Sequence, residues 1–505
     1  MKRTEQSIKN FKINTVAQIV NLIVQFVSRT LFIKILGKTY LGVNGLFSNI
    51  LTILSLADMG IETVLIYSMY EPLAKSDYNK INGLLKIYKK IYNIIALIVL
   101  IAGLILTPFL NYIIKDNTNI PNLHLIFILY LLNTVVSYLC IYKISIINAD
   151  QKNYIVTSTQ QFFNVISNFI MIVALYLTHN YLVYLLVQIA FSIISNVYLT
   201  KKAEKMYPFI KEKKVQDISI NEKQKIKKNT IAMFFHRIGG VVVSGTDNIV
   251  MSAMVGIQEV GVYSNYILII NAIKKFSSQY FNSIIASIGN LNTENDESHT
   301  LDIFKKVLYG NFVIYSFSSI CLLILFNNFI KVWVGDTYLF NNAIVFCIVL
   351  EYYIDGMRQT CLTFKEAKGI FVQDQYKPIC EAVINLVVSI LLTYKIGIIG
   401  VMIGTIVSML FSTIVESYVL FKYGFKKSPK RYFERILYYT IVTLIAYIIV
   451  LFIVNHIPTI GSDIISFIIR TCLTIVLTFA IIIGTTHNSE EFKYFYKKIL
   501  KKKQN

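Results

Sequence analysis

Apolar stretches of twenty residues or more follow one another from Ile13 almost to the C-terminus, and few folds tolerate such a pattern. Each stretch is long enough to cross the roughly 30 Å hydrocarbon core of a bilayer as a helix. Spans are expected at approximately 13–36, 42–69, 88–114, 122–147, 155–178, 181–200, 229–255, 262–288, 307–330, 341–364, 377–396, 398–421, 436–456 and 462–485, about fourteen in all. Hydrophobic residues fill 55% of the 505 positions, charged residues 15%, and the mean hydropathy is +0.58. That balance belongs to polytopic, all-α membrane proteins rather than soluble enzymes. The apolar run behind the basic Met1–Lys12 segment exceeds a signal-peptide core and lacks a small-x-small cleavage site, so it is read as a retained span. Cys140, Cys321, Cys347, Cys361, Cys380 and Cys472 lie singly in apolar segments, with no CxxC and no metal spacing. They are expected to be inert, and no metal site is expected.

A net charge of +21 would suit nucleic acid if it formed one patch. Instead, most Lys and Arg fall in alternate connections: Lys2–Lys12, Lys75–Lys90, Lys201–Lys228, Lys422–Arg435 and Lys493–Lys503. The other connections hold little beyond Lys34, Lys38, Lys115, Lys331 and Lys395. This asymmetry is the positive-inside pattern, so both termini are expected in the cytoplasm and membrane lipids, not nucleic acid, are the expected partners of the basic runs. The acidic connection Asn290–Asp302 departs from the pattern without an explanation.

The chain also repeats itself. At a shift of about 217–220 residues, Gly37–Val43 (GKTYLGV) matches Gly256–Val262 (GIQEVGV), and Gln18 falls opposite Arg237. Phe109–Ile113 matches Phe326–Ile330, and Phe191, Ser192 and Tyr198 match Phe411, Ser412 and Tyr418. An even number of spans separates the two starts, so the repeat is parallel, with its pseudo-two-fold axis along the membrane normal. The expected organisation is a first six-span lobe at 1–203, a basic linker at 204–228, a second lobe at 229–423, and two extra spans with a basic tail at 424–505.

Polar residues inside the spans are the candidates for function, because ionisable groups at membrane depth are costly. In the first span Asn14, Gln18, Asn21, Gln25 and Arg29 recur at helical spacing and share one face. The face either lines a water-accessible interior, the preferred reading, or glues helices together by hydrogen bonds. The second span carries Asp58 and Glu62 one turn apart, which could answer Arg29. The seventh carries His236, Arg237, Ser244, Asp247 and Asn248, with Gly239 and Gly240 at a bend or close approach. Lys143, Glu351, Asp355, Arg358, Glu381 and Asn385 lie in other spans, and internal salt bridges are the plainer reading for the acids. Gly397, Gly400 and Gly404 are read as close-packing positions, and Trp333 as an interfacial anchor. No GxxxxGK[ST] cradle is present to power transport with a nucleotide. Outer connections of at most roughly a dozen residues leave no room for the large loop of a membrane polymerase or glycosyltransferase.

Three stretches carry a family resemblance: GKTYLGVNGLFSNILTILSLADMGIETVLIYSMYEPLA, FIKVWVGDTYL and KPICEAVINLVVSILLTYKIGIIGVMIGTIVS. They resemble the bacterial flippases of O-antigen and capsule repeat units, the Wzx type. These belong to the superfamily (MOP) that also holds the MATE exporters and the lipid II flippase. The resemblance implies two six-helix lobes around a central cavity in the bacterial cytoplasmic membrane. Through it an undecaprenyl-diphosphate-linked oligosaccharide passes between leaflets by alternating access, without enzymatic chemistry. It further implies cationic cavity residues, which map to Arg29 and Arg237, with Gln18, Asn21, Gln25, Ser244, Asn248 and Lys143 as further lining. Asp58, Glu62, Asp247, Glu351, Asp355 and Glu381 are then the positions to orient those cations or take up a coupling proton or sodium ion; no other cofactor is expected. A monomer, in contact with polysaccharide polymerase machinery, is the expected assembly. The alternatives are a MATE-like exporter of cationic drugs, which a positive cavity argues against, or a lipid II-type flippase.

Overall fold

Helix is the only conformation in which an apolar stretch can satisfy its own backbone in lipid without a partner strand. The computed structural model describes residues 3–55, 61–115, 120–211, 224, 245–291, 297–368, 370, 373–456 and 463–502, and among these there is no strand. The chain divides into two compact units, Met1–Gly261 and Val262–Asn505. Most of the expected linker 204–228 lies outside the described residues.

In the first unit α1 (Arg3–Leu54) takes in the first expected span and much of the second without a loop. Gly37, at φ 75° and ψ −174°, breaks the helical path inside it, a conformation an L side chain resists. There follow α2 (Ile61–Ala74), α3 (Tyr78–Leu106), α4 (Leu123–Ala149), α5 (Asn153–Thr178) and α6 (Tyr181–Met206). α1 packs along α5, α3 along α4, and α6 against both α4 and α5. Residues 245–254 are helical and join this unit, with a Cβ on Gly245 only 2.6 Å from Ile53. The two copies of the repeated heptapeptide lie against each other here. A Cβ on Gly42 would strike the carbonyl of Ile257, and one on Gly261 the carbonyl of Lys38. The glycines of the repeat therefore allow backbone to touch backbone.

The second unit takes in most of α7 (Ile257–Leu291), then α8 (Glu297–Val334), α9 (Asn342–Ala367), α10 (Lys377–Ile396), α11 (Ile398–Val419), α12 (Lys430–Asn455), α13 (Asp463–Thr486) and α14 (Glu490–Lys502). The tightest pair is α10 and α11, where Gly400 and Gly404 face Thr393 and Ser389 with no room for a Cβ. Asn385 Nδ2 donates to Thr405 Oγ1 across that seam at 3.0 Å. The connection from α8, whose last turn holds Trp333, to α9 is secured from α7. Tyr266 donates its phenol to Asn327 Oδ1 at 2.6 Å and accepts from Phe340 N at 3.0 Å, while Asn327 Nδ2 donates to the Phe340 carbonyl at 2.9 Å.

Among the described residues ten helices have the length and apolarity to cross a membrane, against the fourteen expected. The difference has identifiable sources. Val16–Leu54 counts once although it covers parts of two spans. α9 carries Glu351, Asp355 and Arg358 within one stretch, and the seventh expected span is described only from residue 245.

Candidate substrate-binding site

The polar face of α1 divides between two duties. Toward its N-terminal half it is hydrogen-bonded to α5: Asn164 Nδ2 donates to Asn21 Oδ1 at 3.1 Å, and Ser28 Oγ to Asn168 Oδ1 at 2.9 Å. Asn168 in turn donates to the carbonyl and the side-chain oxygen of Asn164, at 2.8 and 2.7 Å. Asn21 is thus a component of a helix-to-helix seam, and the Asn14 side chain lies outside the described residues. Gln18 and Gln25 are partly exposed on the same helix.

Arg29 has a different setting. Its electrostatic neighbours are the phenols of Tyr184 and Tyr181 on α6 and Tyr130 on α4. The rings are locked together, with Phe32 edge-on to Tyr181 and to Tyr184 at 5.5 Å each and the hydroxyls of Tyr130 and Tyr181 2.8 Å apart. Aromatic faces and phenolic oxygens accommodate a guanidinium in its charged form, the form that an anionic group would meet. Of the two acids expected to answer Arg29 from the second span, only Glu62 falls among the described residues, and it faces α4. Glu62 accepts instead from Ser145 Oγ and Asn148 Nδ2 of α4, at 3.4 and 3.3 Å, and Asp58 lies outside the described residues. Spacing along one helix cannot say which neighbour the acid faces.

Tyr130 also lines a pocket of about 290 Å³, which its ring places next to the arginine cluster. Besides Leu51 and the Tyr130 ring, its wall carries hydroxyls and amides: Ser48, Thr52 and Ser55 from the α1 side, Asn133 and Thr134 from α4, and Gln188 from α6. Asn133 Oδ1 is buried with no hydrogen-bond partner. Thr52 and Thr134 donate to carbonyls one turn back and retain acceptor capacity. Such a wall offers several neutral donors and acceptors and, among the described residues, no charged side chain, which suits a hydroxyl-rich ligand near the small end of the ~300–1,000 Å³ range of binding pockets.

The remaining candidates are distributed elsewhere. Lys143 pairs with Glu204 at 2.5 Å, at the ends of α4 and α6. Asp247 is buried and Asn248 half-buried in the first unit, whereas Arg237 and Ser244, with His236, lie outside the described residues. In the second unit Asp355 accepts an ion pair from Lys274 at 2.6 Å, with Glu351 one turn away on α9. Arg358 bridges Glu381 at 3.3 Å and Glu416 at 3.2 Å, and Lys377 pairs with both acids. Lys365 and Asp374 form a further buried pair. Asp355 and Glu381 are therefore members of charge-balanced networks within the second unit.

Sequence reasoning missed the tyrosine cage, the neutral pocket, and the partners Lys274, Lys377 and Glu416. Two signals were available. Lys377 and Glu381 stand one turn apart at the start of an apolar segment, and Glu416 is a lone acid within a span.

A family model described as polysaccharide biosynthesis protein matches residues 7–287. No curated protein gives a significant match. Among solved structures, the lipid II flippase MurJ in an inward closed conformation aligns with a TM-score of 0.63 at 16% identity, covering 94% of this chain and 98% of its own. An inward-facing multidrug resistance transporter of the MATE family, in the MOP superfamily, aligns at 0.59 and 11% identity, over 81% of this chain and 96% of its own. The MATE multidrug transporter DinF-BH gives 0.56 and 14%, over 82% and 95%. At these identities the likeness is one of fold, and the fold is that of MOP transporters. The neighbours are transporters and flippases rather than enzymes, and with ten apolar helices among its described residues the chain is a multi-pass membrane protein.

Proposed function

Because the chain belongs to the polysaccharide biosynthesis protein family, we propose that it is a flippase for undecaprenyl-diphosphate-linked oligosaccharide repeat units. It moves them from the inner to the outer leaflet of the bacterial cytoplasmic membrane by alternating access, for surface polysaccharide such as capsule or O-antigen. The observation that carries this reading is the juxtaposition in the first unit of Arg29, held among Tyr130, Tyr181 and Tyr184, with the neutral polar pocket that Tyr130 also lines. A lipid diphosphate needs fixed positive charge where the dielectric is low, and a guanidinium can grip two phosphate oxygens at once. The adjoining sugar needs neutral hydrogen-bonding groups, which Ser48, Thr52, Asn133 and Gln188 supply. Glu62, whose partners Ser145 and Asn148 are neutral, is the acid best placed to take up a coupling proton or sodium ion.

The test is replacement of Arg29 in cells that depend on this copy. Arg29→Ala should abolish surface polymer and leave lipid-linked repeat units on the inner leaflet, while Arg29→Lys, which keeps the charge but not the fork, should retain part of the activity. Normal polymer from an Arg29→Ala protein present at normal level would remove the site. Efflux of cationic drugs with polymer unchanged would instead favour the antiporter.

A further inference from the structure

A second pocket, of about 610 Å³, lies in the second unit where α8 begins and where the chain passes from α11 into α12. Its floor is apolar and rigid. Phe304 and Leu308 of α8, Phe421 and Tyr432 are all buried, with ring centres 5.5 Å apart for Phe304 and Phe421 and for Phe421 and Tyr432. Leu301, Phe304, Lys305 and Leu308 share one face of α8 by their spacing.

The mouth is cationic. Lys305, Lys427, Lys430, Arg431 and Arg435 line it, and among the described residues no acid does. Arg435 is paired with Glu491, and Lys306, next to the pocket, with Asp302. The other four lining cations have no ion pair among the described residues. Lys430 and Arg431 are moreover the first two residues of the 26-residue α12, where the helix dipole already presents positive charge and a cation is disfavoured. Like charges brought together at a helix N-terminus over an apolar floor raise one another's cost, and a bound anion with an apolar body relieves it.

We propose that this pocket holds an anionic bilayer phospholipid, its phosphate among Lys305, Lys427, Lys430 and Arg431 and its glycerol and upper acyl carbons against Phe304, Leu308 and Phe421. The site belongs to the side on which the Lys422–Arg435 run lies, the one the charge bias assigns to the cytoplasmic leaflet. It is separate from the Arg29 cluster and does not depend on the transport reading.

Native mass spectrometry of the purified full chain tests it, with phosphatidylglycerol, phosphatidylcholine, undecaprenyl phosphate and inorganic phosphate offered in turn. The variant Lys305→Gln/Lys427→Gln/Lys430→Gln/Arg431→Gln is compared with Lys422→Gln/Lys426→Gln/Lys493→Gln/Lys497→Gln, which removes equal charge away from the pocket. One phosphatidylglycerol should be retained per chain, with affinity reduced at least about tenfold in the pocket variant and changed less than about twofold in the control. Equal loss in both variants, or equal retention of phosphatidylcholine, would overturn the site. Occupation by inorganic phosphate alone, or displacement of phosphatidylglycerol by undecaprenyl phosphate, would overturn its assignment to a bilayer lipid.

Discussion

Glu416→Gln should be among the most damaging single changes of shape-preserving kind in the second unit. Glu416 is completely buried and accepts from Arg358 Nη2 at 3.2 Å and from Lys377, while Glu381 accepts from Arg358 Nη1 at 3.3 Å and Lys377 at 3.5 Å. Two cations and two carboxylates thus close a neutral square. Glutamine keeps the volume and deletes one charge, leaving two buried cations on a single carboxylate. Breaking a buried pair in this way costs roughly 3–5 kcal/mol. At about 2–4 °C per kcal/mol for a unit of this size, the midpoint should fall by roughly 6–20 °C. Thermal unfolding of the purified full chain in detergent, followed by size-exclusion chromatography, reads this directly. The double variant Glu416→Gln/Lys377→Gln restores neutrality and should recover at least half of the loss, since a balanced neutral replacement of a buried ion pair is often nearly neutral in stability. A single-variant shift below about 2 °C, or a double variant less stable than the single one, would refute the charge-balance argument.

Three further outcomes are expected. Gly261→Val places side-chain atoms against the Lys38 carbonyl, a backbone group that cannot rotate away, so destabilisation of about 1–3 kcal/mol and a lower yield of folded protein should result, read by the same unfolding assay. A double-mutant cycle of Asn21→Ala with Asn164→Ala should give a coupling of about 0.6 kcal/mol, typical of interhelical hydrogen bonds in membranes; no coupling would mean the seam is not held by that bond. Glu62→Gln should leave substrate binding intact while abolishing the response of flipping in vesicles to an imposed proton or sodium gradient; an unchanged gradient response would exclude Glu62 from coupling.

Helix positions were largely legible, because length and apolarity alone decide whether a stretch spans. α10 runs over the expected 377–396, and α11 begins at the expected 398. The continuous passage through Gly37 was not, since only its φ reveals that one residue replaces a loop. The site was legible in its residue types but not in its partnerships. Arg29 stood out by its cost at membrane depth, yet tyrosines from α4 and α6 are among its neighbours, and Glu62 of the next span turns to α4 instead. Which helix faces which is a tertiary matter that spacing does not encode. Likewise Asp355 and Glu381 announced themselves as intramembrane acids, whereas Lys274 and Glu416, which engage the same networks, sit 81 residues from Asp355 and 58 from Arg358.

The single phenolic oxygen of Tyr266 serves both shoulders of the α8–α9 hairpin, and one of the two groups it binds is a main-chain amide. The crest of the hairpin is thereby fastened through atoms that every amino acid possesses, with Asn327 supplying the other clasp to a carbonyl. The hold on the bend therefore depends on the tyrosine and the asparagine rather than on the side chains at its crest. A clasp built on so few side chains leaves the rest of the bend's sequence unconstrained by it, in a chain whose fold resembles that of a flippase at 16% identity.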